Sequence, residues 1–127
     1  MGIARVTLYR GITNIFDLII KKNKIALPLE LTVTDTFTLH VIELATNLPV
    51  ATLTQVDSDN GSIVISDMLN GKITITVKPI FVATLKSLRG SQADNYYIRP
   101  TYQFLIEADT ANQGKFITTL DRVGVRQ

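Results

Sequence analysis

The side chains able to do chemistry are few in this sequence, and they are scattered. The one histidine, His40, stands inside the alternating stretch Phe37-Thr38-Leu39-His40-Val41. A catalytic imidazole needs a hydroxyl or carboxylate brought beside it, and no recognised nucleophile motif supplies one. A lone imidazole makes no metal site without several further ligands. His40 therefore reads as a strand-surface or interface residue. Asp57-Ser58-Asp59-Asn60-Gly61 resembles the opening of a calcium loop. An EF-hand wants Gly at its sixth position and Glu at its twelfth, but counting from Asp57 these are Ser62 and Met68. The segment reads instead as a β-hairpin turn, in which Asp and Asn bond their own backbone. A looser carboxylate-lined calcium site stays open as an alternative, since sandwich loops can form one.

The remaining chemistry is thinner still. Lys21, Lys22 and Lys24 surround Asn23 and make the one local basic run. A nucleic-acid binder usually shows a wider basic stripe with stacking aromatics beside it, so this run reads as a solvated turn. The formal net charge is only +2. The seven glycines are dispersed singly at turns, which leaves no phosphate-cradling loop. The 11 acidic residues give no particular pair a claim to glycosidase-type work. The absence of cysteine removes disulfides, thiol nucleophiles and zinc-thiolate sites together. The expectation is a protein that is not an enzyme and carries no cofactor and no metal.

The elements that must position these residues are mostly strands. Ile73, Ile75 and Val77 alternate with Lys72, Thr74 and Thr76. This period of two lays one face on a core and the other in water. Tyr102, Phe104, Ile106 and Ala108 repeat it, as do Phe37, Leu39 and Val41, and Leu31 and Val33. Turn signals fall at Arg10-Gly11, Lys22-Asn23-Lys24, Asn47-Leu48-Pro49, Asp57 to Gly61, Asn70-Gly71 and Asn112-Gln113-Gly114. Turns about ten residues apart are what a sandwich or barrel of short antiparallel strands produces. The spacing predicts strands near 3–10, 13–21, 29–34, 37–45, 49–56, 62–66, 71–77, 97–109 and 115–125. Phe81, Leu85 and Leu88 lie at i, i+4 and i+7, which predicts one short helix over 79–89, started by Pro79 and stopped by Gly90. A surface loop over 90–95 should follow. The fold expected is mainly β, an immunoglobulin-like antiparallel sandwich forming a single domain over 1–127.

A chain of 127 residues can bury roughly two thirds of its unfolded surface, enough to stand without staples. Its charged fraction is 19%, below the usual ~25%, which suggests burial against neighbouring subunits as well as within its own core. No segment reaches the ~18 apolar residues of a membrane span. Met1-Gly2 resembles the start of a myristoylation signal, but Val6 stands where Ser or Thr is wanted. The protein is expected to be made in the cytoplasm and to bind neither membrane nor nucleic acid.

Several stretches resemble the N-terminal domains of phage baseplate upper proteins. These are Val6-Thr7-Leu8-Tyr9-Arg10-Gly11 with Phe16-Asp17-Leu18-Ile19-Ile20, and Asn70 to Val77 followed by a helical turn with Thr84-Leu85. The ending is similar too, through Tyr102 to Glu107, Gly114-Lys115-Phe116 and Val123-Gly124-Val125. The sequence departs from that pattern at Ile12-Thr13, where an acidic residue and Thr are common. The resemblance implies an immunoglobulin-like sandwich used as a virion part: a capsid decoration protein or a tail, baseplate or head–tail accessory protein. Its partners would be other virion proteins (capsid, tail or baseplate subunits), with self-association left open. Contact residues expected on this reading are Tyr9, Arg10, Tyr96, Tyr97 and Arg99, because Tyr and Arg are enriched at interface hot spots. The termini, 1–5 and 121–127, are a second candidate surface. Two other classes remain: a carbohydrate- or receptor-binding sandwich, disfavoured by the lack of tryptophan, and a nucleic-acid-binding barrel supported by Lys21–Lys24 alone.

Overall fold

The period-two residues become the inner faces of two sheets. The computed structural model describes residues 6–20, 30–86, 89–92, 95–98, 100–111 and 114–126. In sequence order the elements are β1 (Val6–Tyr9), β2 (Asn14–Ile19), β3 (Thr36–Glu43), β4 (Leu48–Leu53), β5 (Gly61–Asp67) and β6 (Lys72–Val77). They continue with α1 (Pro79–Val82), β7 (Arg89–Gln92), β8 (Asn95–Ile98), β9 (Tyr102–Thr110) and β10 (Gly114–Arg126). The larger sheet has the order β1-β10-β9-β3-β4 and the smaller β2-β6-β5, while β7 and β8 form a separate hairpin. Every pair is antiparallel except β1 with β10, which run parallel. The order β10-β9-β3 facing β2-β6-β5 is that of the G-F-C and B-E-D strands of an immunoglobulin-like sandwich, with β1 and β4 added at the ends of the larger sheet.

Phe37, Leu39 and Val41 of β3 and Tyr102, Phe104, Ile106 and Ala108 of β9 line the core from one side. Ile63 of β5 and Ile73, Ile75 and Val77 of β6 meet them from the other. Phe16 of β2 stacks on Phe104 of β9, with ring centroids 5.8 Å apart and planes within 10°. In antibody domains a disulfide joins the corresponding pair of strands. Here the stack occupies that role without a covalent bond. Two residues before Phe104, the Tyr102 hydroxyl accepts the Lys86 N–H at 2.8 Å. A tyrosine near the start of this strand, bonded back to the backbone upstream, is a hallmark of such sandwiches.

Five local predictions are corrected, the first being the single strand over 97–109, which is divided between β8 and β9 with Pro100 and Thr101 in neither. The stretch predicted as a strand over 29–34 is irregular where described, from Glu30 onward. Asp35 accepts the Thr32 N–H at 2.8 Å and the Thr32 hydroxyl at 2.9 Å, and its own N–H returns to the Thr32 carbonyl. These short-range bonds close a turn that overrides the β propensity of Thr-Val-Thr, so Leu31 is buried while Val33 is exposed. The predicted helix over 79–89 keeps only its first turn, Pro79–Val82. Past it the Thr84 and Leu85 N–H groups return three residues back, and Tyr102 takes the Lys86 N–H. Gly90, predicted as the helix stop in a surface loop, belongs to β7 and pairs with Tyr97. Finally, the segment around Asp57 to Gly61 is no hairpin turn. It leads from β4 in one sheet to β5 in the other.

Two positions carry sharp consequences. A Cβ on Gly61 would lie 1.9 Å from the Thr76 carbonyl oxygen, and its φ of +141° suits no L side chain. Gly61→Ala should lower the urea midpoint strongly or abolish folding, whereas an alanine at the open Gly11 meets no atom within 4 Å and suffers only backbone strain at φ +82°. Asp35 is 1% exposed. Burial alone would raise its carboxyl, but the bonds from the Ala111 N–H, the Thr32 N–H and the Thr32 hydroxyl outweigh this and hold it below the usual range. The unfolded protein then binds the proton first as pH falls, so stability rises with pH across that window. Equilibrium unfolding should show Asp35's contribution fully present above about pH 4, the ordinary carboxyl range, and lost as pH falls through the lower folded value. Asp35→Asn should flatten that slope.

Candidate functional site

The backbone leaves the larger sheet at Tyr9 and enters the smaller one at Asn14, and this crossing uses two side chains. Asn14, 8% exposed, accepts the Tyr9 N–H on Oδ1 at 3.0 Å and donates from Nδ2 to the Tyr9 carbonyl at 2.9 Å. Its amide thus pairs with Tyr9 as a neighbouring strand would. Arg10 follows, and its guanidinium donates to the carbonyls of Val82 (2.9 Å), Ala83 (3.2 Å) and Leu85. The Val82 carbonyl also accepts the Leu85 N–H, so Arg10 is its second donor where α1 stops. Arg10 is therefore an internal clamp, holding the β1–β2 turn to the corner after α1. Its fork is not free for a partner protein.

The other expected contact residues are placed as follows. Tyr9 is 43% exposed, beside a groove between β1 and β2 of about 550 Å³ that also takes in Val6, Ile12, Ile15 and Asp17. Tyr96 and Tyr97 lie in β8, paired with Ser91 and Gly90 of β7. Arg99, the lysines at 21, 22 and 24, and residues 1–5 lie outside the described residues. The C-terminal stretch is not a loose end: β10 continues to Arg126 along β1, with Val123 and Val125 buried.

His40 sits on the outer face of β3, its Nε2 3.1 Å from Glu107 Oε2 of β9. Its ladder neighbours are Thr52 and Leu105. The imidazole has a carboxylate partner, but the two lie on an open sheet face. Asp57 pairs with Lys78 Nζ at 2.9 Å. Among the described residues no group of three or more His, Asp or Glu could hold a metal, and no helix is long and apolar enough to cross a membrane. A small cavity of about 140 Å³ lies between Leu44, Pro100, Thr101 and Tyr102, with Glu43 and Lys86, themselves 3.5 Å apart, also lining it.

What the sequence did not single out is the outer edge of β2. The Ile20 N–H donates to the Gly71 carbonyl at 2.8 Å, which fixes the alternation along the ladder to β6. In an antiparallel pair, hydrogen-bonded residues alternate with outward-facing ones. Asn14, Phe16 and Leu18 therefore bond to β6, and the N–H and C=O groups of Ile15, Asp17 and Ile19 point away from the sheet. Among the described residues no strand pairs with them. The side chains of the same three residues lie on the outer face, with Ile15 64% and Ile19 50% exposed. Asp17 accepts from the Thr74 hydroxyl at 2.6 Å and meets Lys72 Nζ at 3.4 Å, and these contacts, the Thr74 bond foremost, hold its carboxyl below the usual range.

The other edges of the two packed sheets are blunted, each differently. On β1 the Asn14 amide covers Tyr9. On β4, Pro49 removes a donor and a bulge falls opposite Val41 and Ile42. On β5, the Ile63 N–H is taken by the Thr54 carbonyl at 2.9 Å, and a bulge falls between Ile65 and Asp67. The edge of β2 has no proline, glycine or bulge. One sequence signal points to it: Ile15 to Ile20 is apolar on both faces except at Asp17, whereas a half-buried strand alternates.

No family model matches this sequence, and no curated protein is significantly similar to it. The site is therefore read from its geometry.

The clamp and the strand-mimicking amide are separately testable. Arg10→Ala removes three charge-assisted bonds and leaves the partly buried Leu85 carbonyl without its donor, an expected loss of about 2–3 kcal/mol in urea unfolding. Arg10→Lys should recover little, because an ammonium cannot reproduce the fork. Asn14→Ala should cost about 1–3 kcal/mol, since it leaves both Tyr9 backbone groups unpaired.

Proposed function

We propose that this protein is a non-enzymatic structural component of a bacteriophage virion, working through protein–protein contacts with neighbouring capsid, tail or baseplate subunits. The observation that carries the contact role is the edge of β2, which no strand among the described residues covers, flanked by exposed Ile15 and Ile19 beside the β1–β2 groove. An unblunted edge is a template for an added strand, with backbone bonds giving affinity and alternate side chains giving selectivity. The virion setting rests on the resemblance of the Arg10-Gly11 turn and the Asn70–Val77 and Tyr102–Glu107 stretches to phage sandwich domains. The low charged fraction of 19% agrees with a protein that buries surface against neighbours.

Quantitative mass spectrometry of purified particles should find the protein at hundreds of copies for a lattice decoration role, or at a small multiple of a ring symmetry for a tail or junction component. Its absence from the particles would overturn the virion reading. The double variant Ile15→Lys, Ile19→Lys changes two exposed side chains, each worth within about 0.5 kcal/mol of stability. It should fold normally yet be depleted from particles. Full incorporation of this variant would show that the β2 edge is not the contact.

A further inference from the structure

Two Asn-Gly dipeptides bracket β5: Asn60-Gly61 at its start, and Asn70-Gly71 in the turn that leads to β6. Such a pair can modify itself. The glycine nitrogen, losing its proton, attacks the asparagine Cγ. A new N–Cγ bond forms, the bond from Cγ to Nδ2 breaks and ammonia leaves, which closes a succinimide ring. Water then opens the ring at either carbonyl, giving aspartate or isoaspartate. The net change is one water consumed and one ammonia released, with no oxidant or reductant. Glycine permits this because no Cβ hinders its nitrogen. Whether a given pair reacts depends on how the fold holds the amide and the glycine N–H.

The two pairs are held very differently. The peptides on either side of Gly61 are each held: the Asn60 carbonyl accepts the Lys78 N–H at 3.0 Å, and on the following peptide the Gly61 carbonyl accepts the Ser58 N–H and hydroxyl. Gly61 itself is wedged against the Thr76 carbonyl and Leu53. Ring closure there would have to turn a peptide that has no room to turn. Asn70 is exposed on the hairpin. The Gly71 N–H reaches the Met68 carbonyl through a long 3.3 Å bond, and φ at Gly71 is +65°. What restrains Asn70 is one carboxylate: Asp67 takes its backbone N–H on Oδ1 at 3.3 Å and its side-chain Nδ2 on Oδ2 at 2.8 Å. The Asn70 side-chain amide, foremost among these contacts, holds the Asp67 carboxyl below the usual range.

We propose that Asn70 is a self-modification site, converted to aspartate and isoaspartate in the folded protein, and that Asp67 sets the rate by tethering the amide. For Cγ to reach the Gly71 nitrogen, Nδ2 must leave Asp67. The tether therefore opposes the reactive rotation without forbidding it. The product reverses the local interaction, because a new carboxylate stands where an amide donated to Asp67. Isoaspartate also lengthens the turn backbone by one atom, next to the Asp67–Lys72 pairing that closes the β5–β6 hairpin. Conversion thus loosens an outer strand of the smaller sheet.

Purified full-length protein is incubated at mildly alkaline pH, and the amide-to-acid mass change is followed peptide by peptide, with isoaspartyl methyltransferase counting isoaspartate. In the folded protein Asn70 should convert while Asn60 stays intact. In urea both should convert at similar rates, Asn70 faster than when folded. Asp67→Ala should speed Asn70 several-fold in the folded protein and leave the urea rate unchanged. Asp67→Asn, which keeps an acceptor without the charge, should fall between, and serves if the alanine variant does not fold. Equal conversion of Asn60 and Asn70 in the folded protein would overturn the proposal. So would a folded Asp67 variant that converts no faster than the parent.

Discussion

Apolar contact between two inner sheet faces carries this fold, since no cysteine is present to bridge them. Phe16 and Phe104 stack at the meeting of the sheets, and Ile63, Ile73, Ile75 and Val77 fill the layer opposite Leu39, Val41 and Ile106. A stacked ring pair adds about 0.5–1.5 kcal/mol beyond the area it buries, less than the ~2–4 kcal/mol typical of a disulfide. The difference falls on the regularity of the flanking residues. Every inward position described on β6 and β9 is aliphatic, aromatic or, at the far end of β9, a bonded threonine.

A sandwich held this way must still solve its corners, where the backbone leaves one sheet and loses its ladder. Each corner uses a polar side chain as a substitute strand. Asn14 pairs with Tyr9 at the first crossing. Asp35 collects Thr32 and the Ala111 N–H before β3. Gln55 extends the β3–β4 ladder, accepting the Phe37 N–H at 3.1 Å and donating to the Asp35 carbonyl at 3.1 Å. Arg10 and Tyr102 meet at the corner after α1, one taking carbonyls and the other an N–H. Backbone groups that cannot reach water must find partners, and here they find them in amides, a carboxylate, a guanidinium and a phenol.

The same division explains what could be read in the sequence. Strands were legible where one face is buried, as at Phe37–Val41, Ile73–Val77 and Tyr102–Ala108, because burial imposes the alternation itself. Leu31-Thr32-Val33 carries that alternation and yet forms a turn, since the deciding partner, Asp35, acts through short-range bonds that periodicity does not register. The helix ended early for a similar reason: its spacing says nothing about Arg10, some seventy residues upstream. Of the candidate site, Tyr9 was singled out by residue type alone, and its exposure came only with the structure. Arg10 was legible as important but not as internal, because residue type cannot distinguish a hot-spot arginine from one already engaged with carbonyls of its own fold. The β2 edge was hidden because strand order, not sequence, decides which strand lies outside.

Fold alone assigns no activity to a sandwich, so the weight of the functional argument rests on how its edges differ. Three edges are blunted by unrelated devices: a side-chain amide, a proline with a bulge, and a borrowed carbonyl with a bulge. Convergence on the same outcome by different chemistry is what avoidance of edge-to-edge pairing produces. β2 was left regular, with isoleucines rather than lysines on its outward face. An edge of that kind is a liability for a protein that stays solitary and an asset for one that is built into a larger structure. The charge at its centre, Asp17, is already balanced by Lys72 and Thr74, so a strand arriving beside it need not bring a counter-charge. That leaves backbone pairing and apolar fit at Ile15 and Ile19 as the terms that would select its partner.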